Sequence, residues 1–270
     1  MEKGQRVGGF LSLKKGLSLP AKTRESNFMP KNKTPSQFLP ALLLFCCVGF
    51  LCAEEPEPDL KPVISRAGVL IFKDDFDKEK IRPEWKGLHG TRWQITGGAV
   101  RGEPSTKEYQ QKQIAKGNKS HSGRTPSSRL MVEGDDCIML FRFKLTEDLS
   151  GAHFGFNDGS FKTGTGHVCR FTVSTRKGLT LQKDKNVKLK GDMDKTLATS
   201  KFNLKPDTWY WMMLEIVGNQ MAAQVSGGPV LKAHHARIDI PKDQINLPAR
   251  GGGVIFYDHV RVWKALPLAK

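Results

Sequence analysis

Short runs in which apolar and polar residues alternate recur along the chain after residue 68. In Cys137–Leu145 (CIMLFRFKL) the odd-numbered residues are all apolar, whereas Arg142 and Lys144 lie between them. A period of two places alternate side chains on opposite faces of a β-strand. Gly, Asn, Asp or Pro residues bound these runs, and short strands separated by such turn residues are typical of a sandwich or barrel. The pattern therefore predicts an all-β fold, an antiparallel β-sandwich of the jelly-roll type.

Strands are predicted wherever this pattern holds. The runs are 69–76, two short pieces within 93–101, 137–145, 153–157, 167–173, 179–183, 209–217, 221–225 and 254–263. No helix is predicted beyond a single turn within 74–80. Three stretches lack the pattern and are interpreted as loops or turns, namely 103–129, 183–201 and 249–253. The length of 103–129 indicates either disorder or a binding loop.

The first 53 residues differ from the rest of the chain. Residues 38–52 (FLPALLLFCCVGFLC) form an apolar run without a charge, with Lys31 and Lys33 before it and Ala53 after it. A basic segment, an apolar core and a small residue at the cut are the marks of a secretory signal peptide. An uncleaved membrane anchor is the alternative, although the run is shorter than the ~20 apolar residues of a membrane span. Met29 would begin a signal peptide of ordinary length, so translation could start there.

This segment sets the expected domain organisation. We expect an N-terminal extension with the signal peptide in residues 1–53, an acidic, Pro-rich linker in 54–67, the β-sandwich in 68–265 and a short tail in 266–270. The linker composition cannot bury a core. The mature protein is therefore expected to be exported, to the periplasm, the cell envelope or the extracellular space.

The charge of the mature chain narrows the expected partners. Of 43 basic and 27 acidic side chains, 35 and 25 lie in residues 54–270, which leaves a formal net charge of +10. A basic surface attracts acidic partners over long range. Because an exported chain seldom meets nucleic acid, we expect a carbohydrate partner, in particular an anionic polysaccharide, and membrane contact only through the signal segment. A charge excess that serves solubility alone is the alternative.

The alternation also selects candidate ligand-binding residues. Arg142, His153, Asn157 and Arg170 are the polar alternates of strands whose other side is apolar. If these strands follow one another as a meander, the four side chains line one outward face. Trp211 lies opposite the apolar side of its strand, where its ring could stack on a sugar. The alternatives are a solvated sheet face and, for Trp211, a strand that is covered on both sides.

Carboxylates supply the remaining candidates. Glycoside cleavage needs two of them across the bond, and Glu215 and Asp258 are the ones available on predicted strands. Asp75 and Asp258 are candidates for a Ca²⁺ site, since the first and last strands of a sandwich often adjoin and Ca²⁺ takes oxygen ligands. An ordinary acidic turn around Asp75 is the alternative. Cys137 and Cys169 are expected to be buried thiols, with one strand of the meander between them and hence too far apart for a disulfide.

Three segments resemble a known family. Residues 72–93, 208–228 and 254–265 are similar to the opening, late hairpin and closing strand of concanavalin A-like lectin/glucanase sandwiches. More closely, residues 68–265 resemble exported bacterial proteins related to the 3-keto-disaccharide hydrolase domain, which is glycoside hydrolase family 16-like. The resemblance implies a jelly-roll sandwich that interacts with glycans.

The resemblance does not extend to an active site. The Glu-x-Asp-x-x-Glu pattern of family 16 glucanases is absent, and so is the opening Phe-Asn-Gly phrase of the keto-disaccharide hydrolases. We therefore expect an exported glycan-interacting protein that could hydrolyse glycosidic bonds. The alternative hypothesis is a non-catalytic structural or adhesive module of the cell envelope. No cofactor is expected, although Ca²⁺ could bind.

Overall fold

The computed structural model describes residues 58–132, 134–160 and 166–268 of the chain. The signal segment and most of the linker lie outside these residues. Two antiparallel sheets pack face to face and enclose the core, which confirms the predicted jelly-roll β-sandwich. Within the described residues, no helix has the length and apolarity needed to cross a membrane.

The two sheets contain the fifteen strands of the described part. Sheet 1 consists of β1 (Ser65–Asp74), β3 (Arg92–Thr96), β4 (Ala99–Glu103), β6 (Cys137–Leu145), β11 (Trp209–Val217), β12 (Gln220–Val225), β13 (Leu231–His234) and β15 (Ile255–Pro267). Sheet 2 consists of β2 (Trp85–Gly87), β5 (Ser127–Leu130), β7 (Leu149–Asn157), β8 (His167–Ser174), β9 (Gly178–Lys183), β10 (Lys195–Ser200) and β14 (Gln244–Gly251).

The strand order differs from the predicted meander at one decisive place. Sheet 1 runs β13-β12-β11-β6-β15-β4-β3, with β1 also paired to β15, and sheet 2 runs β10-β9-β8-β7-β14-β5-β2. The chain therefore crosses from sheet 1 to sheet 2 between β6 and β7, whereas β7 to β10 do form a meander. Period-two alternation is the same whether two strands pair or face each other, so the pattern could not distinguish these arrangements.

Aromatic rings from both sheets meet in the core. Phe154 of sheet 2 lies 5.2 Å from Phe141 and 5.5 Å from Phe143 of sheet 1, measured between ring centroids. Cys137 and Cys169 are buried, free thiols, as predicted, and burial raises the pKa of each to about 12. The reasoning behind that prediction was wrong, because the two residues belong to opposite sheets rather than to strands of one meander.

Several elements arise where the alternation predicts loops. The helix α1 (Lys107–Ala115) begins after Thr106, whose side chain accepts a hydrogen bond from the Tyr109 amide. Its single buried residue is Gln110, which donates to the Ser105 carbonyl at 2.8 Å, so it has no apolar face for a pattern to reveal. Strands β10 and β14 also lie in or next to predicted loops, and β1 begins at Ser65, inside the segment assigned to the linker.

Candidate functional site

The outer side of sheet 2 carries a polar surface across four adjoining strands. Strands β9, β8, β7 and β14 adjoin in that order, and their apolar side chains point into the core. The outward side chains, which we call the polar face, are His153, Arg170, Thr172, Gln182, Asn246 and Arg250. Arg170 is in register with Gln182, and His153 is in register with Thr172. These cross-strand partners make one continuous surface.

Two grooves divide this surface. Groove 1 has a volume of about 480 Å³ and is lined by His153, Arg170, Thr172, Ser174, Lys177, Thr180, Gln182, Thr196, Thr199 and Arg250. Groove 2 has a volume of about 440 Å³, and its floor and walls include His89, His121, Arg129, Asn157, Asp158, His167 and Asn246. Volumes of this size match those of small-ligand clefts. The loop between β4 and β5, which contains α1, contributes the wall of groove 2 through Ser120 and His121.

Arg170 lies on the floor of groove 1 and is held in place by acidic neighbours. Its guanidinium pairs with Asp184 at 2.9 Å and with Asp194 at 3.2 Å. Asp184 is almost completely buried, and burial raises the pKa of its carboxyl group although Arg170 opposes that shift. The buried Nε of Arg170 has no hydrogen-bond partner among the described residues. Two ion pairs therefore fix the orientation of the Arg170 guanidinium.

His153 is a neutral hydrogen-bonding group on the same floor. Burial, together with the charges of Arg170 and Arg250, lowers its pKa to about 4. The Nδ1 atom lies 2.7 Å from the Thr172 hydroxyl. At neutral pH the imidazole is therefore uncharged, and the positive charge of groove 1 comes from Arg170, Lys177 and Arg250.

Groove 2 contains imidazoles rather than a cluster of charges. The rings of His89 and His121 lie 4.6 Å apart, and burial lowers the pKa of His89 and of His167. Among the described residues that line groove 2, Arg129 is the one Lys or Arg side chain, and its Nε donates to the Asn246 side chain at 2.8 Å. Groove 2 thus offers many hydrogen-bonding groups, with Arg129 and Asp158 as its Arg and carboxylate side chains.

The structure separates the residues that the sequence predicts to share a face. His153 and Arg170 lie together, but Arg142 and Trp211 belong to sheet 1 and lie on its outer side, in register with each other. The guanidinium of Arg142 bonds to Asp258 at 2.8 Å and lies 4.7 Å from the Trp209 ring. The predicted common face is therefore wrong for these two residues, because β6 and β11 belong to sheet 1 whereas β7 and β8 belong to sheet 2.

Asn157 departs from the prediction in a different way. It lies on β7 with His153, but it is 4% exposed instead of projecting into solvent. Its side-chain oxygen lies 3.1 Å from Nδ1 of His167, and a register shift between Phe156 and Asn157 changes the local alternation. Asn157 therefore forms part of the wall of groove 2 and not of an exposed row.

Glu215 and Asp258 are not a pair of facing carboxylates. Glu215 is in register with Ile138 and Asp258 with Arg142, four residues farther along β6. At 3.2–3.4 Å per residue this offset alone is about 13 Å, beyond the ~9.5 Å upper limit for glycosidase carboxylates. Glu215 is 1% exposed and accepts hydrogen bonds from residues 63–65, so the outer side of its strand is covered.

The candidate Ca²⁺ ligands already have cationic partners. Asp75 pairs with Arg261 and, at 3.0 Å, with Lys73. Burial raises the pKa of Asp75, but hydrogen bonds and charges from these two side chains lower it overall. Asp258 pairs with Arg142 in the same manner. The part of the chain that the structure describes contains no group of three or more metal-ligating side chains, so Ca²⁺ binding remains only a prediction.

Several of the residues that line the grooves were not selected from the sequence. The alternation within one strand, β14, could have revealed two of them. Within β14, Ile245, Leu247 and Ala249 point inward while Asn246 and Arg250 point outward, which is the same period of two. The sequence predicts a turn in 249–253 because this stretch has no large apolar residue. His89 and His121 of groove 2 lie outside the strands, where no periodicity exists to find them, whereas His167 is the first residue of β8.

Comparisons with known proteins support the fold. No family model and no curated protein matches the chain. A protein of unknown function with a galectin-like fold from Bacillus subtilis superposes with a TM-score of 0.54 at 12% identity, covering 76% of this chain and all of the other. A second structure belongs to a study of endo-acting O-glycanases that prominent members of the human gut microbiota express to initiate mucin breakdown. It superposes with a TM-score of 0.50 at 11% sequence identity, covering 72% of this chain and 99% of the other. A Bacillus licheniformis β-glucanase superposes with a TM-score of 0.49 at 13% sequence identity, covering 73% of this chain and 99% of the other.

Proposed function

We propose that this chain is an exported glycan-binding protein whose polar face holds an anionic polysaccharide without cleaving it. The observation that carries the proposal is groove 1, in which Arg250, a row of hydroxyl and amide groups, and Arg170 with its acidic partners lie on adjoining strands of sheet 2. Lys177 adds a further cation from the turn between β8 and β9. Sites on sheets are positioned precisely because neighbouring strands fix each side chain. A glycan as the ligand is further supported by the fold that the chain shares with the mucin-degrading O-glycanase structure.

The charge of the lining favours an anionic sugar over a neutral one. Groove 1 is lined by Arg170, Lys177 and Arg250, and its lining within the described residues contains no carboxylate and no Phe, Tyr or Trp ring. Stacking therefore contributes little there. Arginine forms strong charge-assisted hydrogen bonds with carboxylate or sulfate oxygens. Uronic acid or sulfated units suit this chemistry.

The same linings favour binding over hydrolysis. Two carboxylates must flank a glycosidic bond in most glycoside hydrolases. Asp158 of groove 2 is the single carboxylate among the described residues that line either groove. The relation to 3-keto-disaccharide hydrolases, like export through residues 38–53, remains a prediction from the sequence.

Arg250 offers a clean test of the polar face. It is exposed, whereas removal of Arg170 would leave Asp184 buried without its partner and would destabilise the fold. Titration calorimetry of the purified chain with polygalacturonate and chondroitin sulfate should show binding that weakens as salt increases. Arg250→Ala should weaken it about tenfold, since a hydrogen bond to a charged group contributes roughly 1.5–3 kcal/mol.

Arg66→Ala is the matched control. Arg66 is an exposed arginine on β1 of sheet 1, so its removal changes the net charge equally without touching the polar face. The control should bind both polysaccharides as the wild type does. Equal affinities for the two variants would refute the polar face as the site, and tight binding of neutral dextran in groove 1 would refute the anionic ligand. Release of reducing sugar would refute binding without cleavage.

A further inference from the structure

A separate cavity opens at one edge of the sandwich. Its volume is about 360 Å³, and it lies where β2 and β5 of sheet 2 face β3 and β4 of sheet 1. The inner walls are Trp85, Trp93, Val100 and Ser128, and the exposed Pro83 lies at the rim. We call this space the edge cavity. It is on the core side of β5, whereas groove 2 uses the outer side of the same strand.

Two indole rings of the edge cavity are held rigidly. Trp85 and Trp93 each stack on the buried ring of Tyr257 with centroids 6.2 Å apart, at interplanar angles of 22° and 9°. Their polar edges are satisfied, since Nε1 of Trp85 donates to Asp74 and Nε1 of Trp93 donates to Thr91, both at 3.0 Å. The ring surface left for the cavity is therefore apolar and preorganised.

Glycine residues make room for Trp93. A Cβ atom on Gly102 would lie 2.3 Å from the indole, and one on Gly87 would lie 2.8 Å from it. Neither distance is compatible with a side chain larger than hydrogen. The ring thus rests directly on the backbone of β4 and beside that of β2, which places it against the cavity.

A buried hydroxyl in the wall lacks a partner. Ser128 is 1% exposed, and its Oγ makes no hydrogen bond with any other described residue. Buried polar groups are nearly always hydrogen-bonded, so an exception needs an explanation. Ser128 lines the edge cavity, but its Oγ is almost inaccessible to water, so a ligand hydroxyl would satisfy it once the side chain rotates toward that space.

Arg82 is the one charged side chain among the described residues that line the edge cavity, and it is already paired. Its guanidinium bonds to Glu84 at 2.5 Å and to the Lys73 carbonyl at 2.7 Å. A charged ligand would have to compete for that pairing. A neutral ligand that has both an apolar face and hydroxyl groups fits the two indoles and Ser128 together.

We propose that the edge cavity binds one neutral sugar unit, with its C–H face against an indole and a hydroxyl group on Ser128. The volume is that of a small-molecule site. Aromatic rings offer the large apolar area that the C–H face of a pyranose requires. This site does not rest on the anionic-polysaccharide proposal, because it uses other residues and other chemistry.

The test is a titration of the full chain with methyl glycosides of glucose, galactose, mannose and N-acetylglucosamine. Binding should change the tryptophan fluorescence in the millimolar range and be insensitive to salt. Ser128→Ala should weaken the preferred sugar about fivefold, as expected for one neutral hydrogen bond, and should leave the urea midpoint unchanged or raised. Trp93→Phe should weaken it at least as much, and near-ultraviolet circular dichroism checks that the variant is folded.

Arg250→Ala provides the separating control. This variant should bind the neutral sugar like the wild type even though it loses affinity for polygalacturonate. The two proposals can therefore be refuted independently of each other. Absence of a fluorescence or saturation-transfer response to all four glycosides would overturn the edge-cavity site. A Ser128→Ala variant that binds the sugar with wild-type affinity would also overturn it. The same holds for a Ser128→Ala variant that unfolds at a lower urea concentration than the wild type, because the hydroxyl would then stabilise the fold.

Discussion

Replacing Glu215 by alanine should destabilise the sandwich strongly, because this carboxylate anchors the segment that leads into β1. The side chain is 1% exposed and accepts hydrogen bonds from the amides of Val63 at 2.8 Å and Ile64 at 3.1 Å. The Ser65 hydroxyl donates a third at 2.7 Å. Removal of the carboxylate leaves all three donors without their acceptor.

The magnitude follows from the burial of these donors. A hydrogen bond to a charged group contributes about 1.5–3 kcal/mol. Val63 and Ile64 are only partly buried, so water can replace the carboxylate at their amides, while Ser65 is 2% exposed and cannot be hydrated without local opening. We therefore expect the free energy of unfolding to fall by about 3–5 kcal/mol. For a domain of this size that corresponds to a melting temperature lower by roughly 10 °C.

Urea unfolding followed by tryptophan fluorescence measures this loss. Glu147→Ala is the matched control, because Glu147 is exposed in the turn between β6 and β7 and its removal should change stability by no more than ~0.5 kcal/mol. The double variant with Ser65→Ala should cost less than the sum of the single changes, since both remove the same hydrogen bond. Equal stability of Glu215→Ala and Glu147→Ala would refute the anchoring role of Glu215.

The structure leads to two further predictions, and the sequence leads to a third. The pKa of His153 is lowered to about 4 in the folded state against about 6.5 unfolded, so the unfolded state binds more protons between these values. The free energy of unfolding should therefore fall by up to about 3 kcal/mol as the pH drops from 6.5 to 4, and His153→Gln should flatten that part of the curve; an imidazole that titrates near 6.5 by NMR would contradict this. Gly102→Ala should cost about 1–3 kcal/mol by displacing Trp93, whereas Gly252→Ala, with no atom within 4 Å of its Cβ position, should be nearly neutral; equal urea midpoints would contradict the packing. Intact-mass analysis of protein from its native host should find residues up to about Ala53 removed, and a mature form that retains residue 38 would contradict a cleaved signal peptide.

Much of the fold could be predicted because burial leaves a direct trace in the alternation. The odd-numbered residues of Cys137–Leu145 are buried as expected, and so are Phe154, Phe156 and Phe171. Both free cysteines are in the core for the same reason. Helix α1 left no such trace, because it buries Gln110 and not an apolar stripe.

Less of the candidate site could be predicted, because it depends on which strands adjoin. His153 and Arg170 are neighbours because β7 pairs with β8. This pairing was predictable because the two strands follow each other along the chain. Arg250 comes from β14, about 100 residues away along the chain, and Arg142 leaves the group because β6 belongs to the other sheet. Register along a strand is set by local burial, but the choice of neighbour is set by long-range packing.

The sequence by itself determined the fold class, most of the strands and the residues that form the core, because apolar side chains must be removed from water wherever the strands end up. Only the tertiary structure decided which polar side chains meet. Glu215 is polar and alternates outward, yet it is buried because residues 63–65 cover its side of sheet 1. Trp85, Trp93 and Ser128 likewise form a cavity only where the edges of two sheets face each other. Alternation records that a residue points away from its apolar neighbours, and it contains no information about what packs against it there.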